Sequence, residues 1–261
     1  MTQGQDTVSV PLASGRRMPT LGFGTWQLTG DQARVAVVTA LGVGYRHIDT
    51  ATIYGNETQV GTAIRESGVA RSELFITTKL PPDSAAQADA TLEASLAALG
   101  TDYVDLWLIH WPPGGIASVP TWRSMLAARE RGLARDVGVS NYSPALIDEL
   151  IDATGVAPAV NQIPWSPFDH NLEIAAHSAN RGVVLEGYSP FKRSQLDHPL
   201  LQEIAQAHGV QPTQVILRWH VDHGVVVIPK SANPERIAAN FDIWNFKLTG
   251  PEIEAIDALA G

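Results

Sequence analysis

The strongest constraint on this chain is a beat of about 30 residues. Short β-rich runs finish near Asp49, Lys79, His110 and Ser140, and an amphipathic helical pattern separates each run from the next. Eight such runs are readable: Leu21–Gly24, Arg46–Asp49, Leu74–Thr78, Val104–Ile109, Asp136–Val139, Ala159–Gln162, Val183–Tyr188 and Val225–Ile228. Leu74-Phe75-Ile76 and Val225–Ile228 are apolar at consecutive positions, as strands covered on both faces are. The helices between have readable ends. Asn56, with Gln59 three residues on, is placed to cap one; Ser143-Pro144 and Asn233-Pro234 are a cap followed by proline at the first helical position; Thr249 and Glu252 make a capping box. Eight strand–helix alternations in 261 residues predict an α/β chain folded as one (β/α)8 TIM barrel over residues 1–261. Ahead of it, VSVPLASGRRMP reads as a β-hairpin turning at Ser14-Gly15 and closing the barrel's bottom. Two helices, about Pro199–His208 and Pro212–His223, follow the seventh strand, and a further C-terminal helix trails the barrel. A doubly wound dinucleotide fold would need G-x-G-x-x-G after its first strand. GFGTWQ supplies only the first two glycines.

Composition removes several classes of function. The chain has no cysteine, so thiolate metal sites, disulfides and cysteine nucleophiles are excluded. A net charge of −9 argues against polyanion binding through overall charge, and so against nucleic acid, while leaving room for a local phosphate pocket. No apolar run reaches the length of a membrane span, and the first residues lack the basic-then-apolar pattern of a signal peptide, so the cytoplasm is expected.

In a barrel, chemistry gathers past the C-terminal ends of the strands. Asp49 ends the second strand there, Tyr54 follows in its loop, Lys79 ends the third, and His110 the fourth. Each has an ordinary reading: a turn-forming aspartate, a rim aromatic, a solvated lysine, a satisfied core histidine. Together on adjacent strands they suggest carbonyl reduction. A phenol with a reference pKa of about 10 gives up its proton more readily beside an ammonium. A buried ammonium keeps its charge when a carboxylate is paired with it. His110 would orient a carbonyl oxygen and Tyr54 supply the proton. None of these groups is a redox centre, so the hydride must come from a cofactor. The competing use of His47, Asp49 and His110 is a metal-dependent hydrolase, which lacks further ligands and would set Lys79 against the metal.

Nearly end to end, the chain resembles the aldo-keto reductase family, especially its short bacterial members similar to 2,5-diketo-D-gluconate reductases. GYRHIDTATIYGNE, ITTKL, VDLWLIHWP, GVSNY, NQI and IPKS carry the resemblance in order. It implies an NADPH-dependent reductase of aldehydes and ketones, with Tyr54 as general acid, Lys79 and Asp49 tuning it, and His110 positioning a small carbonyl substrate. It implies that Ser140, Asn141 and Gln162 bind the nicotinamide carboxamide and that Tyr188 stacks on the ring. Gly24, Thr25, Trp26, Asp49, Ser189 and Phe191 would contact the rest of the dinucleotide's reacting half. Lys230, Ser231, Asn233, Arg236 and Asn240 would hold its adenosine 2′-phosphate end, with no metal and a monomeric chain. The alternative is a barrel that binds NADPH as a redox sensor with negligible turnover.

Two departures from the family pattern matter. Ala239 stands where a glutamate often precedes the asparagine, which removes one adenine contact and weakens the preference for NADPH. The segments WPPGGIASVP and KRSQLD are short, and the chain ends directly after its last helix. An open substrate pocket lined by Trp26, Ile53, Leu80 and Trp111 is therefore expected, with broad tolerance.

Overall fold

A computed structural model describes residues 8–192 and 194–260. Residues 1–7, where a signal peptide was not expected, Arg193 in the segment KRSQLD, and Gly261 after the last helix lie outside the described residues. Strands β1 (Ser9–Pro11) and β2 (Arg17–Pro19) pair antiparallel as the predicted hairpin. Eight parallel strands follow in sequential order: β3 (Phe23–Gly24), β4 (His47–Asp49), β5 (Phe75–Leu80), β6 (Val104–Ile109), β7 (Ala134–Ser140), β8 (Val160–Pro164), β9 (Val184–Tyr188) and β10 (Val226–Val227). The first and last strand regions meet through a parallel bridge between Leu21 and Val227. Gly22 N donates to Val227 O at 2.9 Å, and Val227 N to Thr20 O at 2.9 Å. The sheet therefore curls round on itself, and each of the eight predicted runs overlaps one strand, β5, β7 and β8 extending past their predicted bounds.

Helices α1 (Gly30–Val43), α2 (Glu57–Ser67), α3 (Ala88–Leu99), α4 (Val119–Glu130), α5 (Pro144–Thr154) and α6 (Leu172–Asn180) follow β3 to β8 in turn. Then α7 (Pro199–His208) and α8 (Pro212–Asp222) come between β9 and β10, with α9 (Pro234–Phe241) and α10 (Gly250–Asp257) last. Ser143 Oγ accepts from Leu146 N, Asn233 Oδ1 from Arg236 N, and Thr249 with Glu252 forms the reciprocal box. Asn56 departs from its expected role. It occupies the cap position of α2, but its side chain makes no cap bond. Its Nδ2 donates to the carbonyls of Thr25 and Leu28, and its Oδ1 accepts from Thr50 Oγ1. It ties the β3 loop to the β4 loop.

Strand alternation divides the interior into two regions. Residues such as Ile48, Ile76, Trp107, Ile109, Val137 and Leu185 face the helices and form the large apolar layer. Phe75, Leu106, Leu108, Val160 and Val226 form a second cluster with Leu12 and Met18, the hairpin's contribution. The hairpin thus stoppers the lower barrel with side chains. Above that apolar floor the inward positions turn polar: His47 and Asp49, Thr77 and Lys79, His110, Ser140, Gln162, and Glu186.

Candidate active site

The polar upper layer opens into a cavity of about 580 Å³ at the C-terminal ends of the strands. Asp49, Tyr54, His110, Ser140, Asn141, Gln162 and Tyr188 line its depth, while Trp26, Ile53 and Trp111 sit half exposed on its rim. Tyr54 reaches this wall through a single 3₁₀ turn, Thr52–Tyr54, which closes on Gly55 in the left-handed region at φ 64°. Thr52 Oγ1 donates to the Lys79 carbonyl at 2.9 Å and anchors that turn to β5.

Lys79 is wholly buried. Its Nζ donates to Asp49 Oδ1 at 2.6 Å and to the Thr50 carbonyl at 2.8 Å, and lies 3.5 Å from Tyr54 Oη. Burial works against the Lys79 charge, but Asp49 and the phenol beside it outweigh this and hold it above the usual range. For Tyr54 the balance goes the other way. Burial raises the phenol pKa, Lys79 lowers it, Asp49 raises it again, and the net direction is upward. The expected net acidification is absent because burial works against the ionised phenol, and the carboxylate that holds the ammonium adds to it. Tyr54 is therefore protonated at neutral pH. His110 is pushed down to about 2 by burial and then by Lys79, so it is neutral. Its ring meets Tyr54 edge-on at 5.7 Å and stacks on Trp111 at 4.1 Å.

Across the cavity, Ser140 Oγ donates to the Gln162 carbonyl at 2.8 Å, and Gln162 Nε2 donates to Asp49 Oδ2 at 2.8 Å. Asn141 Nδ2 donates to the carbonyl of His110 and to Ser140 Oγ, both at 3.0 Å, and its Oδ1 accepts from Tyr188 Oη at 2.8 Å. Three of the four described non-glycine residues with left-handed backbones line this cavity: Gln27 (φ 64°), Asn141 (φ 63°) and Ser189 (φ 55°). Side chains held in that region cost energy and cluster where the chain must aim a group. Gly24 has a structural reason of its own: an added Cβ would meet the Ile228 carbonyl at 2.9 Å.

At the other end Lys230 lines the cleft and is exposed. Asn233 caps α9, Ser231 Oγ accepts from Asn233 N at 3.1 Å, and the Arg236 Nε lies 3.4 Å from that oxygen. Asn240 is buried beside this corner, and Ala239 precedes it half-buried.

Two residues expected to contact cofactor or substrate at the reacting end lie elsewhere. Leu80 is 1% exposed and packs in the layer beneath the helices, because alternation turns it away from the face that Lys79 occupies. Thr25 is also buried, its hydroxyl donating to the Asp49 carbonyl at 3.0 Å rather than lining the cavity. Four lining residues were not foreseen: Gln27, Pro190, Lys192 and Ile228. Lys192 lies 5.3 Å from the ring centre of Trp26, across the mouth; its position after GYSPF was the available signal. The donor set imagined for a hydrolase does not converge. Asp49 is engaged by Lys79 and Gln162, His47 Nε2 lies 3.1 Å from Thr77 Oγ1, and among the described residues no group of three or more histidines and carboxylates could hold a metal.

Comparison with known proteins adds to this geometry. The sequence profile of the Aldo/keto reductase family matches residues 20–260. A methylglyoxal reductase DkgA from Yersinia pestis is 44% identical over 254 residues, covering 96% of this chain and 92% of that protein. A 2,5-diketo-D-gluconic acid reductase B from Corynebacterium sp. (strain SHS752001) is 43% identical over 256 residues, with the same coverage of both. An aldo-keto reductase of Bombyx mori, solved in complex with NADP, superposes with a TM-score of 0.91 at 38% identity, covering 97% of this chain and 93% of that one.

Proposed function

Because the chain belongs to the aldo/keto reductase family and is an NADP(H)-dependent carbonyl reductase, we propose that Tyr54 is its general acid. Lys79 and Asp49 would set the phenol's electrostatics and His110 would orient the substrate. The observation that carries this is one junction: Lys79 Nζ, held by Asp49 at 2.6 Å, lies 3.5 Å from a phenol on the cavity wall beside a neutral imidazole. A phenol raised above its usual range stays protonated until needed. It can still transfer its proton favourably, since an alkoxide is a far stronger base than a phenolate. Lys79 then stabilises the phenolate left behind, and Asp49 keeps Lys79 charged. Neutral His110 can donate one N–H to a carbonyl oxygen and hold it near Tyr54 Oη.

The donor set fits NADPH. Ser140, Asn141 and Gln162 offer amide and hydroxyl groups around Tyr188, and Lys230 and Arg236 offer cations where α9 begins. When bound, NADPH supplies the hydride. Gly24, Trp26, Ser189, Phe191, Ser231, Asn233 and Asn240 would bind along its length, and Thr25 would support Asp49 from behind. The half-exposed rim of Trp26, Ile53 and Trp111 favours small substrates with weak selection. The two bacterial relatives act, by name, on molecules with a second carbonyl, and we assign small α-keto aldehydes and diketo sugar acids as the substrate class. Loss of NADPH absorbance with methylglyoxal, compared between the wild type and Tyr54→Phe, tests the assignment. A fall in kcat of about 10³-fold is expected; equal turnover by both proteins would overturn it.

A further inference from the structure

One buried carboxyl has no part in the reaction as described. Glu186 lies on β9 two residues below Tyr188 and is fully buried. Its Oε2 accepts from Gln162 Nε2 at 2.8 Å, the same nitrogen that donates to Asp49 Oδ2 at 2.8 Å. An amide nitrogen carries two hydrogens, and here each goes to a different carboxyl. Gln162 therefore bridges Asp49 to Glu186, and the bridge determines which way round its amide lies. The carbonyl oxygen is the atom left for the cavity that Gln162 lines.

The groups around Glu186 complete the argument. From β4 it faces His47, whose Nε2 is 3.6 Å from Glu186 Oε1 and 3.1 Å from Thr77 Oγ1, and Asp49; from β5 it faces Lys79; from β8, Gln162; from β10, its register partner Val226. Lys79 and Asp49 already cancel, so an ionised Glu186 would be an uncompensated charge inside the barrel, which is costly. Burial, and then Asp49, push Glu186 up to about 8, and burial pushes His47 down to about 3. Both are therefore uncharged at neutral pH.

We propose that Glu186 is a positioning residue for carbonyl reduction. Neutral, it holds the Gln162 amide in the orientation that braces Asp49 and offers its oxygen to the nicotinamide end of the cleft. On losing its proton it places a negative charge beneath Lys79 and Tyr54, which makes the phenol a weaker acid and slows reduction at alkaline pH. The second half rests on the reading of Tyr54 as the acid; the first half does not.

Two variants test it. Glu186→Leu removes the acceptor; Glu186→Gln keeps an acceptor of the same size but cannot ionise. Near neutral pH, Glu186→Leu is expected to lower kcat about tenfold and to weaken NADP⁺ binding, followed by tryptophan fluorescence, about as much; Glu186→Gln restores most of both. In the pH profile of kcat, the alkaline decline moves up by about one unit or more in Glu186→Gln. Infrared spectroscopy of the wild type without cofactor is expected to show a protonated-carboxyl band that titrates on the alkaline side and is missing from Glu186→Gln. Thermal melts identify any variant that has not folded. An unchanged alkaline limb in folded Glu186→Gln, no rescue of NADP⁺ binding by it, or no such band in the wild type overturns the proposal. If the wild type reduces no carbonyl with NADPH, the general-acid reading fails, while the infrared and binding measurements still decide the role of Glu186.

Discussion

The two ends of the cleft use the same kinds of charge in opposite ways. At the reacting end Lys79 is sealed from solvent, its ammonium donating to Asp49 and to the Thr50 carbonyl, while Gln162 ties Asp49 to Glu186. At the other end Lys230 and Arg236 are exposed, and Arg236 leans on a single serine hydroxyl at 3.4 Å. Charge interactions in a low-dielectric interior are strong and unscreened, whereas solvated cations lose most of theirs to water and salt. The reacting end is therefore built in advance of any ligand. On the reading proposed above, the other end would become an anion site only when an anion arrives.

The contrast can be broken most severely at Asp49. Asp49→Ala leaves the Lys79 ammonium buried without its partner, and a loss of about 3–5 kcal/mol of stability is expected in chemical denaturation, along with loss of activity. An Asp49→Ala protein as stable as the wild type would show that the interior tolerates the lone charge. Acid is the next probe. His47 and His220 are fully buried and held down to about 3 and about 4, with burial the main cause in each. A base whose folded pKa is depressed binds its proton more readily when unfolded. Stability is thus full above about pH 6.5 and is lost as pH falls towards those folded values. At about pH 4.5 each should cost about 2–3 kcal/mol, visible as a drop in Tm, and His220→Gln should remove part of that dependence. The outer end responds more gently. Arg236→Ala should raise KM for NADPH about tenfold and leave KM for NADH unchanged, with added salt mimicking the loss. Equal effects on the two cofactors would show that Arg236 does not read the phosphate. Smallest of all, Ala239→Glu should tighten NADP⁺ binding about threefold, measured by titration, if the missing side chain is an adenine contact.

This contrast also explains what could be read in advance. The barrel was legible because covered strands announce themselves as apolar runs at a steady spacing, and the catalytic candidates because they interrupt those runs at one end. Leu80 was misassigned although alternation alone separates it from Lys79: a residue next to an inward lysine must face the helices. Asn56 looked like a cap because it stands where a cap stands; nothing local reveals that the carbonyls of Thr25 and Leu28 come within its reach. The sign of the Tyr54 shift was equally hidden, since it depends on how deeply the phenol is buried and how near Asp49 lies. Glu186 left a visible trace, a lone acid inside VVLEGY, but the partner that gives it meaning is 24 residues away on β8.

The stopper at the barrel's foot has a practical side. Leu12 and Met18 occupy the end opposite the mouth, so a tether joined at Val8, where the described chain begins, would start from beneath that mouth. Immobilised through that side, each molecule would leave its entrance turned outward to the flowing solution. A fusion partner placed there would hang below the reacting groups without shading them.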